Sequence, residues 1–171
     1  MNQKELCYLS AGQLARMIQT KEVSPVEVME AHLSRIEALE PRLNSFITFL
    51  PDQARKEARR AEQEILAGRW RGPLHGIPLG LKDLYYVKGL PNTGGTKLFE
   101  NFIPDVDSTV AGKLREAGAI LIGKLNMHPL PMAPQEKTLN TVLCTTRGIP
   151  NSSREVRAGV PAQPQPLASA F

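Results

Sequence analysis

An apolar run that ends in a lysine constrains this chain more than any other stretch of its sequence. The run lies in Gly72-Pro-Leu-His-Gly-Ile-Pro-Leu-Gly-Leu-Lys-Asp83, where it begins at Ile77 and ends at Lys82. An isolated ammonium costs on the order of several kcal/mol to bury, so such a lysine is paired, deprotonated or exposed at a strand end. In a structural interpretation, Lys82 reaches the surface or pairs with Asp83. In a catalytic one, burial lowers its pKa and makes it a general base.

Capping signals and hydrophobic periodicity predict alternating helices and strands. Ser10 and Ser24 each precede a Gln or Glu by three residues, which is the capping-box pattern of a helix start. The strand–helix–strand order in the second half favours an α/β architecture with parallel strand pairing. The predicted helices cover 10–20, 24–41, 52–67 and 107–117, with Asp107 or Ser108 as the last cap, and the predicted strands cover 46–50, 77–81 and 119–123.

Two polar segments follow predicted strands. Thr93-Gly94-Gly95-Thr96 is interpreted as a tight turn rather than a ligand cradle, because it lacks the Gly-Lys-Ser/Thr ending of a phosphate loop. Asn126-Met127-His128 follows the last strand, at the carboxyl end where α/β proteins place their sites. A single histidine there is interpreted as a structural, hydrogen-bonded residue.

Composition excludes several classes of function. The net charge of +4 is spread evenly along the chain, and no basic cluster is interleaved with aromatic residues, which argues against nucleic-acid binding. Cys7 and Cys144 fit no disulfide or metal spacing, so no metal and no cofactor is expected. No run is long enough to span a bilayer and no signal segment begins the chain, so we expect a cytoplasmic location.

Several blocks occur together in one order: GPLHGIP, LKD, VKGLPNTGG and DSTVAGKLREAGAILIGKLNMH, preceded by the helical stretch from Leu9. From about Leu9 to His128 the chain closely resembles the amidase signature family. The resemblance implies the N-terminal part of that family's α/β/α fold, a mixed sheet flanked by helices, here incomplete. It also implies a Ser–cis-Ser–Lys triad that cleaves a small-molecule amide, with Lys82 as the catalytic lysine. The departures at Leu79-Gly80-Leu81 and at 92–96 leave the substrate class open.

The chain changes character after His128. Half of its 14 prolines lie in residues 129–171, periodicity ends, and the serine-rich block that would supply the cis-Ser and the nucleophile is missing. We therefore divide the chain into a family part, 1–128, and a non-family, disordered tail, 129–171. Ser152 and Ser153 lack the glycine setting of catalytic serines.

The genetic code offers an explanation for this tail. Codons for Arg154 to Pro161 can be chosen so that the reading frame one base over encodes Gly-Gly-Ser-Ser-Gly-Gly-Ser, the block expected in the family. Codons for Leu130 to Gly148 can likewise be chosen so that the frame one base over encodes AYGATGENPEYGTVHNPW. Our hypothesis is a single-base insertion, deletion or sequencing error near the codons of His128 to Leu130.

The sequence thus predicts an amidohydrolase that is inactive in this reading frame, because both serines are lost. An A subunit of a glutamine-dependent aminoacyl-tRNA amidotransferase, which would meet tRNA only through its complex, is the alternative within the family. A non-catalytic fragment or interaction module is the alternative outside it. Missing sheet partners would leave strand edges and apolar faces exposed, so a marginally stable product is expected.

Overall fold

The computed structural model describes residues 2–127. These residues form a mixed α/β fold, as the sequence predicts. The helices are α1 (Gln3–Leu6), α2 (Ala11–Gln19), α3 (Pro25–Leu43), α4 (Pro51–Leu66) and α5 (Thr109–Glu116), the strands are β1 (Phe46–Phe49), β2 (Pro78–Lys82) and β3 (Ile120–Leu125), and a 3-10 turn covers Lys97–Phe99.

Helix starts follow the predicted caps. The Ser10 and Ser24 hydroxyls accept hydrogen bonds from the third amide of α2 and of α3, and both capping boxes close. Ser108 rather than Asp107 caps α5, because its hydroxyl accepts from the Ala111 amide. Asp107 instead accepts from the Lys88 amide and contacts Arg115.

Helix α3 continues past Pro41, where the sequence predicted its end. Proline removes only its own N–H, so in the last turn of a helix a single backbone hydrogen bond is lost. The helix ends two residues further on, and its cap is Asn44, which takes the left-handed conformation (φ 52°) and donates its amide to the Glu40 carbonyl. The Glu40 carboxylate then accepts from the Phe46 amide at 2.8 Å and fixes the entry into β1.

The sheet has the strand order β1-β3-β2, with β3 at its centre. Strands β2 and β3 run parallel, which confirms the predicted pairing, whereas β1 pairs with β3 in the antiparallel direction. Strand β3 extends two residues beyond its predicted end and includes Lys124 and Leu125.

Helices cover both faces of this sheet. Ile120 and Ile122 pack against Met29 and Leu33 of α3 and against the alanines of α4. Leu121, which points to the opposite face by strand alternation, packs with Leu79, Ala111 and Leu114. A further cluster joins α1 and α2 to α3. Among residues 2–127, no helix is both long enough and apolar enough to cross a membrane.

A buried polar cluster anchors the loop between α4 and β2. Glu64, on the last turn of α4, accepts from Arg60 at 3.0 Å and from Arg71 at 2.6 Å. The fully buried His75 ring accepts the Arg71 backbone amide on Nδ1, so its Nε2 carries the proton of the neutral ring and faces Glu64 at 3.4 Å.

The pKa values of this cluster follow from its contacts. Burial lowers the pKa of His75 and the Arg71 charge lowers it further, against a smaller opposing effect of Glu64. Burial acts to raise the pKa of Glu64, but hydrogen bonds and charges from Arg60 and Arg71 together hold it below its usual value. Both groups therefore bind protons more readily after unfolding, and His75, which has the higher ordinary pKa, does so nearer to neutrality.

Stability should consequently fall on the acid side of neutrality. The pKa of His75 is lower in the folded state than in the unfolded chain, where it is about 6.5, so unfolding takes up protons as the pH falls through this range. The free energy of unfolding, measured by urea denaturation, is expected to decrease as the pH falls from 7 to 5. His75→Gln keeps a donor toward Glu64 and should flatten that slope; an unchanged slope would contradict the assignment.

Gly118 lies against the same histidine. Its φ is +86°, and a Cβ at this position would come within 2.7 Å of the His75 ring and 3.0 Å of the His75 Cα. Gly112, inside α5, has ordinary helical backbone and an added Cβ would meet no atom within 4 Å. Substitution by alanine is therefore expected to change the free energy of unfolding in opposite directions at the two glycines.

Gly118→Ala is expected to destabilise the protein by roughly 1–3 kcal/mol, because it combines left-handed strain with an overlap. Gly112→Ala should stabilise it by about 0.5–1 kcal/mol, the helix-interior difference between glycine and alanine. Paired urea titrations provide the measurement. Equal effects of the two changes would show that neither the backbone conformation nor the His75 contact matters.

Candidate functional site

The carboxyl ends of β2 and β3 lie side by side and form the candidate site. Lys82 pairs with Leu125 in the parallel ladder, and the Asp83 amide donates to the Leu125 carbonyl at 3.1 Å. Ligands and reacting groups of α/β proteins gather at this kind of edge, beyond the carboxyl ends of parallel strands.

Successive side chains at the end of β2 have opposite environments. The Lys82 side chain is exposed, whereas Asp83 is fully buried. The exposure of Lys82 agrees with the structural interpretation in which it reaches the surface, and the burial expected by the catalytic interpretation is not found within residues 2–127. The interpretation in which Lys82 pairs with Asp83 is wrong, because another cation occupies that carboxylate. Within residues 2–127, no carboxylate forms an ion pair with Lys82.

That other cation is Lys124, the largest fully buried side chain of the described part. Its Nζ lies 2.8 Å from Oδ1 of Asp83, in a charge contact rather than an aligned hydrogen bond. It also donates to Oδ1 of Asn92 at 3.0 Å and approaches the Pro91 carbonyl at 3.4 Å. The second carboxylate oxygen of Asp83 accepts from the Thr93 amide at 2.8 Å and from the Thr93 hydroxyl at 2.6 Å.

This buried pair fixes the loop that faces the strand ends. The Thr93 hydroxyl also accepts from the Gly95 amide at 3.1 Å, and the Thr96 amide donates to the Thr93 carbonyl. Gly94 and Gly95 both have left-handed φ values, 58° and 72°. The turn predicted for this segment is confirmed, and its position depends on Asp83.

Sequence reasoning missed Lys124. A strict two-residue period places it on the face of Ile120 and Ile122. The ladder with β2 shifts register before Gly123, so Lys124 instead pairs with Leu81, on the opposite face. The other half of the pair is not visible from one sequence, because Asp83 follows a different strand.

Asn126 also lies at this edge of the sheet, in a structural role, since its Nδ2 donates to the Asn44 carbonyl. His128, Cys144, Ser152 and Ser153 lie outside the described residues.

Removal of one partner of a buried ion pair leaves an uncompensated charge, which costs about 3–5 kcal/mol. Asp83→Asn and Lys124→Met should each lower the free energy of unfolding by about that amount. The double variant should lose less than the sum, because it leaves no unpaired charge. The half-buried surface pair of Arg55 and Glu30 is the control, and Glu30→Gln should cost no more than about 1 kcal/mol. Additive losses in the Asp83 and Lys124 cycle would refute the coupling.

The fold and the site define a class: an α/β domain whose parallel strands carry an exposed lysine at their carboxyl edge. Within residues 2–127 no group of three or more histidine, cysteine or carboxylate side chains could hold a metal ion. The sequence profile of the Amidase family matches residues 27–155. The chain belongs to the Amidase family.

The proteins that this chain resembles are named either as amidotransferase subunits or as amidases. The chain is 44% identical to the A subunit of the glutamyl-tRNA(Gln) amidotransferase of Geobacter sulfurreducens, over 75% of this chain and 26% of that protein. It is 40% identical to the putative amidase AmiD of Mycobacterium tuberculosis, over 74% of this chain and 27% of that protein. The native peptide amidase of Stenotrophomonas maltophilia superposes with a TM-score of 0.66 at 37% identity, over 71% of this chain and 25% of that one. The chain thus spans about a quarter of the length of these relatives.

Proposed function

We propose that this chain supplies the lysine base of an amide-cleaving Ser–cis-Ser–Lys site, with Lys82 in that role. The observation that carries the proposal is the division between the two lysines at the sheet edge. Lys124 satisfies Asp83 inside the protein, and Lys82 projects from the same edge without a carboxylate partner among the described residues. A lysine serves as a base only when it is uncharged, and an adjacent unpaired carboxylate would favour its charged form.

The reaction follows from these roles. A nucleophilic serine attacks the amide carbonyl, the cis-serine passes its proton to the Lys82 amine, and the protonated lysine returns a proton to the departing amine. Backbone amides beside the serines would stabilise the oxyanion. Water then releases the acid. The substrate in this proposal is a small-molecule carboxamide, hydrolysed to acid and ammonia, and no cofactor takes part.

Both serines must come from sequence that the present reading frame does not contain. We keep the division into a family part, 1–128, and a non-family tail, 129–171, as a prediction, together with the hypothesis of a frame change near the codons of 128–130. A cytoplasmic location belongs to the same proposal.

A second candidate is the A subunit of an amidotransferase, which uses the same chemistry on glutamine and passes ammonia to a partner. The specific observation in its favour is the 44% identity to the Geobacter sulfurreducens protein. Glutamine hydrolysis that requires added partner subunits would favour this candidate, whereas hydrolysis of simple amides by the chain's restored form alone would favour the amidase.

The test begins with the nucleotide sequence around codon 129 and the several hundred bases beyond it. A gene that cannot be read as Gly-Gly-Ser-Ser-Gly-Gly-Ser one base over removes the frame hypothesis. If it can, the 171-residue chain should show no amide hydrolysis and the protein with the restored frame should show it. Inactivity of both would favour a non-catalytic module.

Lys82→Ala in the restored protein is expected to reduce kcat by about 10²–10⁴, the usual contribution of a general base. Lys88→Ala, an exposed lysine six positions further on, is the matched control and should leave kcat within about twofold. Release of ammonia from a carboxamide is the measurement. A Lys82→Ala enzyme with full turnover would refute the assignment.

A further inference from the structure

A second cleft lies at the opposite edge of the sheet from Lys82. It has a volume of about 230 Å³, and Ala119 and Ile120, at the amino end of β3, form part of its wall. Lys82 pairs with Leu125 at the other end of that strand. At about 3.3 Å per residue, the two ends of β3 are roughly 16 Å apart. This cleft is therefore separate from the candidate site.

Three arginines from three segments of the chain line this cleft. Arg60 lies on α4, Arg71 in the loop between α4 and β2, and Arg115 in the last turn of α5. We call it the arginine cleft. Two carboxylates, Glu57 and Glu64, also line it, so its charged side chains are three cations and two anions. Like charges that converge on one cleft repel one another, and an anion between them relieves that repulsion.

Glu64 compensates for only part of the positive charge. Its buried carboxylate accepts from Nε of Arg60 at 3.0 Å and from Nη2 of Arg71 at 2.6 Å. One of these arginines would be enough to neutralise it. Arg115 forms its ion pair elsewhere, with Asp107, which is not part of the cleft wall. The need to satisfy Glu64 therefore does not explain why a third arginine lies here.

The three arginines keep hydrogen-bond donors available for a ligand. Among residues 2–127, each of them uses one of its three guanidinium nitrogens in an ion pair. The other two nitrogens of each have no carboxylate partner in this part of the chain. All three side chains are exposed, so a dissolved ligand can reach them. The planar fork of a guanidinium group matches the paired oxygens of a carboxylate or a phosphate.

We propose that the arginine cleft binds a small oxyanion, a phosphate or carboxylate group, held by Arg115 on one side and by Arg60 and Arg71 on the other. The cleft is smaller than the roughly 300–1,000 Å³ of pockets for drug-sized ligands, which favours an inorganic or short-chain anion over a nucleotide. This inference does not depend on the role of Lys82 in amide cleavage.

Glu57 separates this proposal from a structural interpretation in which the arginines only hold the loop to α4. Its carboxylate accepts from the Gln53 amide at 2.9 Å and forms no ion pair within the described residues. In the structural interpretation Glu57 has no influence on anions. In an anion site its charge repels the ligand, so its removal should strengthen binding. A misfolded variant could not produce such a gain.

The experiment uses the full 171-residue chain and inorganic phosphate at pH 7, with the ionic strength held constant by sodium chloride. Phosphate is titrated while the backbone amides are followed by NMR. The Gly118 and Ala119 amides, in the cleft wall, are expected to shift to saturation with a Kd on the order of 1 mM. Acetate is titrated in the same way as the carboxylate probe.

Three variants of equal size test the assignment. Arg115→Gln removes only a surface ion pair and should weaken binding at least about fivefold, because a charged hydrogen-bond donor is lost. Glu57→Gln should strengthen binding by roughly twofold to fivefold. Arg59→Gln, an exposed arginine of α4 outside the cleft wall, is the matched control and should change Kd by less than about twofold.

Saturation by phosphate, by acetate or by both identifies the anionic group, and each supports the proposal when the Arg115 and Glu57 variants shift Kd in opposite directions. The proposal is overturned if neither anion saturates the Gly118 and Ala119 amides. It is also overturned if Arg59→Gln weakens binding as much as Arg115→Gln, or if Glu57→Gln leaves Kd unchanged.

Discussion

The buried pair of Asp83 and Lys124 is the interaction on which the site depends. It joins three segments that are far apart in sequence: the end of β2, the end of β3 and the loop at 91–96. Both side chains are fully buried, so each is the main compensation for the charge of the other. An apolar pair could fill the same volume, but it could not also hold the Thr93 amide and the Asn92 side chain in place.

This arrangement separates two lysines that look alike in the sequence. Each follows a short apolar strand, and each lies at the same edge of the sheet. Lys124 is paired with the Asp83 carboxylate and has no access to solvent, whereas the amine of Lys82 is exposed. The difference arises from the register of the sheet: beyond a register shift in β3, Lys124 pairs with Leu81 and shares its buried face. Lys82 and Asp83 are successive residues, so their side chains point to opposite sides. A charge interaction inside the protein therefore determines which amine can meet a substrate.

Local signals predicted much of this fold. The capping boxes at Ser10 and Ser24 are short-range patterns, and the parallel pairing of β2 with β3 follows from the strand–helix–strand order; the structure contains all of them. The miss at Pro41 has a local cause as well, because a proline in the last helical turn costs one hydrogen bond and not the helix. The site was less predictable. The resemblance identified Lys82, but the ion-pair partner of the neighbouring Asp83 depends on how β2 and β3 pack together, and a single sequence does not show that.

The central position of β3 has a consequence for the order in which the chain is built. Strands β1 and β2 do not pair with each other. Each pairs with residues 120–125, the last strand of the described part to be synthesised. Helices α3 and α4 pack through Met29, Leu33 and the alanines of α4, so a helical pair can assemble on the ribosome well before any ladder exists. The sheet can therefore be completed only after residues 120–125 are available. Until then β1 and β2 have unpaired backbone groups, and unpaired strands favour aggregation.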